Sequence, residues 1–462
     1  MTMTIYLIIG TLLATAVCFL LSPKVQTADG FFKGFSDTGA APSLWTLVLS
    51  QVTTWIFARS LMTAAILGFY YGIAGALAYA AYYVSFLTGG KIIDHLRFKH
   101  GKSNIQSFMQ EQFGSLGNHC YNLVIALRLL SEVFSNLLVI GLIFGISGSQ
   151  EHLLAMAGIA AITFAYSMFG GLRASLRTDV FQAILVICAL VMLFMLMLFH
   201  PGFSWQAALS SSPDITSPGW VLLAVAFLQV WSYPLHDPVM MDRGFLANRE
   251  ITRKSFYYAA IISIICILIF AMLGVFAGVV KTEGEAMIDT LTRLFHEPCM
   301  LIFNMALIIS AISTLDSTFS SASKLVAVDM GIVKPTAANG RWVMLAFLIG
   351  GGLFLLLDSK DLYAAVAVSG TVSMFLAPVI FFNIWGKRTI AQWPLIVAFI
   401  VAVGGGALYM LESGGYVNWM EPLFGYSHKY SKLLIICIGI LLISCTAFAI
   451  GQKHPQATEQ KT

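Results

Sequence analysis

The chain has 462 residues, of which 58% are hydrophobic and 10% charged, with a formal net charge of +4 and a mean hydropathy of +0.83. That balance excludes a soluble globular protein and marks an integral membrane protein. The seven cysteines are scattered with no CxxC or Cys/His cluster, which argues against a disulfide framework or a cysteine metal site.

In chain order, stretches long enough to cross a bilayer, about 20 mainly apolar residues each, are predicted at 4–21, 44–71, 73–93, 120–147, 151–169, 179–199, 218–240, 256–280, 298–327, 341–357, 361–385, 392–411 and 431–450. The first lacks a basic leader and a clear cleavage site, so it reads as a retained span. No stretch between spans is large enough to fold alone. With the N-terminus outside and the C-terminus in the cytoplasm of a cell membrane, the inside loops collect nineteen Lys and Arg, from Lys24 and Lys33 to Lys453 and Lys461. The outside loops collect five: Lys281, Arg293, Lys360, Lys429 and Lys432. This bias follows the positive-inside rule and supports the count of about thirteen. Basic residues confined to short loops do not make a nucleic-acid surface.

Two spans are interrupted. In the second, SQVTTWIFARS (50–60) breaks the apolar run; in the seventh, WSYPLHDPVMMDR (231–243) carries Pro234 and Pro238, which remove backbone donors. Irregular backbone at membrane depth is tolerated only against protein or a watery cavity. A small-residue packing face in span two and a plain proline kink in span seven are the alternatives. The breaks lie five spans apart, the pattern of inverted five-helix repeats. The units expected are 1–43, 44–217 (spans two to six), 218–390 (spans seven to eleven) and 391–462.

Span nine contains SAISTLDSTFSSASK (310–324). At about 100° per residue, Ser310, Ser313, Thr314, Ser317 and Ser321 form one stripe. Such a stripe either coordinates a small hard cation or joins two helices. Four charges stand inside spans: Arg59, Arg128, Glu132 and Asp316. Each costs about 2.5–3.5 kcal/mol at the bilayer centre on insertion scales, so each needs a partner or a function. Arg128 and Glu132, at i and i+4, can pair on one helix face or face a substrate cavity. Arg59 either clamps a substrate carboxylate or pairs with a neighbouring acid. Asp316, about 120° off the stripe, reads as ordering span nine or pairing with a cation. His236 and Asp237 flank the proline break without a clear role in proton coupling.

Four motifs, in order along nearly the whole chain, resemble those of the sodium:solute symporters: TTWIF (53–57), GGLRASLRTDVFQ (170–182), ISTLDSTFSSASKLVAVD (312–329) and APVIFFNIWGKRT (377–389). The resemblance implies an all-α LeuT-type fold and sodium-coupled uptake of a small polar organic solute by alternating access. Sodium would be the coupling ion, and no other cofactor is implied. It also implies a sodium site at Thr53, Ile56, Ser310, Ser313 and Thr314, with Asp179 on the ion's release path and Tyr233 at a gate. Substrate would lie between spans two, four, seven and nine, faced by Ser60 and Tyr233 and, on the sharper reading of the charges, by Arg59 and Glu132. Three positions depart from the family's pattern: Trp55 stands where some members carry a carboxylate, Arg177 replaces a Trp, and Val230 stands where sugar carriers have an amide. A proton-coupled carrier of the same fold, or a non-transporting sensor on that scaffold, are the other readings. No HExxH, paired catalytic Asp or Ser-His arrangement points to an enzyme.

Overall fold

The computed structural model describes residues 2–146, 148–353 and 362–453. Ser147, Lys360, Lys461 and the expected span residues 354–357 and 361 lie outside that description. Among the described residues, nine helices are long and apolar enough to cross a membrane. The outward faces of helices such as Thr2–Leu21 and Lys429–Ile450 carry exposed Leu13, Leu20 and Leu442, as a lipid-facing surface requires.

Two of the nine fold back on themselves. Ala58–Lys99 turns at Gly72 (φ +59) and Gln150–Leu198 at Gly171 (φ +55). In an unbroken helix Ser60 and Tyr79 would lie roughly 28 Å apart, yet the Tyr79 hydroxyl donates to Ser60 Oγ at 3.1 Å. Likewise Gln182 Nε2 donates to the Tyr166 hydroxyl at 3.4 Å across the second corner. Glycine takes the positive φ without a Cβ penalty. At Gly72 an added Cβ would lie 2.5 Å from Ser211 Oγ. That hydroxyl instead accepts the freed amide of Ile73 at 2.8 Å, and Ser212 Oγ donates to Tyr71 O at 2.6 Å. The corner is thus capped by a loop 138 residues downstream.

With these reversals, and with the interrupted spans two and seven and the helix Ala337–Leu353, the described residues contain the thirteen segments the sequence predicts. Their edges differ. The expected loop at 170–178 is a one-residue reversal at Gly171, so span six begins at 172 and Asp179 lies two turns inside it. Span four belongs to a helix that starts at Ile105 and bends at Gly114. Span three runs on to Lys99.

The interior is formed where the 58–71 segment crosses helix Arg249–Val280 at close range. Gly68 lies against Ala271 O, Gly274 against Ala65 O and Gly278 against Phe69 O, so a side chain at any of the three would strike backbone. Gly274 and Gly278 form a GxxxG pair, the spacing that lets two membrane helices approach closely. Gly274→Ala is therefore expected to cost about 1–3 kcal/mol, read as a lower thermal unfolding midpoint in detergent. Gly404→Ala, with nothing within 4 Å of the new methyl, should leave the midpoint unchanged.

Candidate functional site

Span two breaks without proline or glycine. Helix Leu44–Trp55 ends at Ile56 (φ −87, ψ 60), Phe57 is extended (φ −93, ψ 162), and a new helix starts at Ala58. Thr53 and Thr54 precede the break, and their hydroxyls bond back to Ser50 O at 3.0 Å and Gln51 O at 2.9 Å. Side-chain bonds of this kind compete with helix continuation. Two carbonyls that the broken helix leaves free find donors elsewhere: Trp55 O accepts from the Tyr83 hydroxyl at 2.6 Å, and Ile56 O accepts from Ser310 Oγ.

Ser310 belongs to the hydroxyl stripe of span nine, and all five stripe residues are buried. The stripe therefore faces protein along its length. Thr314 Oγ1 donates to Ser310 O at 3.0 Å, and Ser313 Oγ donates to Asp179 Oδ1 at 2.9 Å. The structure thus brings Ile56, Ser310 and Ser313 into one continuous oxygen-rich region with Thr53 and Thr314 alongside.

Asp179 is the centre of the adjoining cluster. It accepts from Ser50 Oγ at 2.5 Å, Ser175 Oγ at 3.3 Å and Ser317 Oγ at 3.4 Å, and Arg243 Nη2 lies 3.5 Å away. Arg243 also donates to Ser317 Oγ at 2.8 Å and to Ser50 Oγ at 3.1 Å. Four spans meet on this one carboxylate: two, six, seven and nine. Asp316 accepts from the Tyr166 hydroxyl at 2.7 Å and Thr178 Oγ1 at 2.8 Å, on spans five and six.

A second polar layer lies beyond the break. Arg59 donates to Glu132 at 2.9 Å, Arg128 pairs with Glu132 one turn away, and Arg128 Nη2 lies 3.4 Å from Asp237 at the break of span seven. All four side chains are buried, two of each sign, so the quartet is neutral. Beside it is a space of about 20 Å3. Its walls are Trp55, Phe57 and Ser60 from span two, Tyr79, Tyr82 and Tyr83 from span three, Arg128 from span four and Tyr233 from span seven. Ser60 and Tyr233 thus face the cavity, whereas Arg59 and Glu132 stand behind it. Span three supplies a wall in place of the expected span nine, because its tyrosines fold back over the break at the Gly72 corner.

The sequence reading missed Ser50, Ser175 and Arg243 around Asp179, and the three tyrosines. Tyr79, Tyr82 and Tyr83 recur at i, i+3 and i+4, a one-face spacing that was available as a signal. Nothing local distinguishes Ser50 or Ser175 from other buried hydroxyls.

Removing one member of the quartet leaves an uncompensated buried charge. Glu132→Gln is expected to destabilise by about 3–5 kcal/mol. The double change Arg59→Met with Glu132→Met, which retains the Arg128–Asp237 pair, should recover part of that loss in denaturant unfolding of the detergent-solubilised protein.

No family model matches the chain. It is 22% identical over 372 residues to a sodium/proline symporter of Haemophilus influenzae, a match that covers 72% of this chain and 73% of that one. A solved Na+-coupled sialic acid symporter, in a substrate-bound outward-open state, superposes with a TM-score of 0.72 at 14% identity, over 98% of this chain and 99% of that one. Mhp1, a nucleobase-cation-symport-1 family transporter in a closed conformation, superposes with a TM-score of 0.57 at 15% identity, over 93% and 96%. The solved structures establish the fold. Joined to the four motifs and the symporter match, they make this multi-pass membrane protein a remote relative of the sodium:solute symporters, a transporter family rather than an enzyme family, built on the LeuT-type fold.

Proposed function

We propose that the chain is a sodium-coupled secondary transporter that takes up a small polar organic solute by alternating access. In this reading 44–217 and 218–390 are inverted repeats that rock against each other, with 1–43 and 391–462 peripheral. The excess of Lys and Arg on one set of loops supports an orientation with the N-terminus outside a cell membrane and the C-terminus in the cytoplasm.

The observation that carries the reading is the meeting of Ser310 with Ile56 O, a hydroxyl stripe against an unwound backbone. Sodium is a small hard cation that must exchange its water shell for several oxygens. The carbonyls of Thr53 and Ile56 and the hydroxyls of Ser310, Ser313 and Thr314 are oxygens of that kind. Each hydroxyl donates its proton to a protein acceptor and keeps lone pairs for a cation. The C-terminal end of helix Leu44–Trp55 adds partial negative charge. Neutral ligands hold the ion weakly enough to let it go. Asp179, bonded to Ser313, is the first full negative charge an ion leaving this set meets, which fits a place on the release path.

Solute would occupy the cavity at Ser60 and Tyr233, with Arg59 and Glu132 setting the field behind the wall. Coupling follows from adjacency. Trp55 and Phe57 line the cavity, and Ile56 between them offers its carbonyl to the ion. A cation that fixes residue 56 orders both cavity residues, so each ligand lowers the ordering cost of the other.

The test is equilibrium binding of 22Na+ to the purified protein, with choline as the replacement cation. Saturable binding is expected, and Ser313→Ala with Thr314→Ala should weaken it at least about tenfold, or 1.4 kcal/mol. Absence of saturable sodium binding to the wild type ends the proposal.

A further inference from the structure

The entry to span nine carries a corner of unusual backbone. Helix Met287–Lys324 bends at His296, whose φ of 59° and ψ of 172° stand at the edge of a region essentially confined to glycine, and Pro298 follows. A side chain held in such a conformation costs about 1–3 kcal/mol and persists only where its surroundings impose it. Leu294, Phe295 and Cys299, on either side of the corner, line a groove together with Met192, Met195 and Phe199 of span six. His200 also lines it, with its ring edge-on to Phe276 at 5.2 Å and to Phe295 at 6.1 Å. The groove holds about 380 Å3, within the roughly 300–1,000 Å3 of small-molecule sites.

The groove is continuous with the lipid-facing surface. Ile184, Val191, Met195 and Phe199, at i, i+7, i+11 and i+15, are exposed along span six as one apolar stripe. Water does not suit the space, since a held water needs roughly two to four polar partners. Among the described lining residues His200 is the single strongly polar side chain, and its Nδ1 already accepts from Gly202 N at 3.1 Å. Another helix does not suit it either. Close helix contacts in membranes use Gly, Ala, Ser and Thr, and none of these lines the groove among the described residues. No charged side chain lines it among them, so nothing there recognises a headgroup. The unbranched side chains of Met192 and Met195 can follow an irregular apolar chain.

We propose that this groove retains one acyl chain of a membrane phospholipid, whose headgroup stays at the bilayer surface. The chain supplies the dispersion contacts that an unfilled lining forfeits, and it supports the corner at His296. The two walls belong to spans six and nine, which meet elsewhere along their length where Ser313 Oγ donates to Asp179 at 2.9 Å. A lipid tail seated between their ends sets the spacing at which these two spans diverge. The site is separate from the cavity at Ser60 and Tyr233 and shares no lining residue with it.

The test is photocrosslinking of the full-length protein reconstituted with a phosphatidylcholine that carries a diazirine near the end of one acyl chain, followed by peptide mapping. Adducts on 192–199 and 294–299 are expected severalfold above those on helix Lys429–Ile450, the bulk-lipid reference. Native mass spectrometry after detergent washing should show one retained phospholipid per chain. Met195→Trp with Cys299→Phe, which fills the groove from both walls, should lose that lipid. Met410→Trp, at an exposed position of helix Trp393–Ser413, should keep it. Phosphatidylglycerol and phosphatidylethanolamine of equal chain length should be retained equally, because no charge lines the groove. The proposal is overturned by adducts spread evenly over the lipid-facing helices, by retention of free fatty acid or detergent in place of phospholipid, by retention that follows the headgroup, or by a filled variant that keeps the lipid. Should the filled variant fail to fold, the crosslinking map of the wild type decides alone.

Discussion

Two carbonyls without helical partners, those of Trp55 and Ile56, organise this molecule. In a bilayer an unsatisfied carbonyl is costly, so the break in span two persists because two other spans bring hydroxyls to it. Tyr83 comes from span three and Ser310 from span nine. The Gly72 corner makes the first contact possible by folding span three back along span two. The close glycine crossing of span eight holds the same segment from the other side. A local defect in one helix is thereby turned into a junction of several, and both the oxygen-rich region and the aromatic cavity are built on its two faces.

Buried charge is distributed with the same economy. Asp179 and Arg243 are 3.5 Å apart and fully buried, but hydroxyls of Ser50, Ser175, Ser313 and Ser317 do much of the solvating. A carboxylate held mainly by rotatable hydroxyls is easier to re-solvate than one locked in a bidentate pair, because each hydroxyl can turn toward another partner. That property suits a group on an ion's route. The Arg59–Glu132–Arg128–Asp237 quartet is different. It ties the two broken spans together through span four, and its partners are other charges rather than hydroxyls.

The local features of the site were legible in the sequence. The period of the stripe placed Ser310, Ser313 and Thr314 on one face, and the i, i+4 spacing paired Arg128 with Glu132. Interruption of an apolar run located both breaks. Pairings across long stretches of chain were not legible: Arg59 with Glu132 spans 73 residues and Ser50 with Asp179 spans 129. Periodicity reports which face of a helix a residue occupies, and it says nothing about which other helix that face meets. The same limit explains why span three was overlooked as a cavity wall although its tyrosines share a face.

The sequence by itself determined the membrane class, the order of the spans, the positions of the two breaks and the oxygen-bearing face of span nine, because each follows from hydropathy or from a helical repeat within one segment. Tertiary structure alone decided that Arg128 rather than Arg59 reaches the cavity, that Asp179 gathers four spans, and that the break of span two is completed by Tyr83 and Ser310. These depend on helix crossings set by backbone contacts at glycines such as Gly68 and Gly274, whose partners lie hundreds of residues away and leave no local trace.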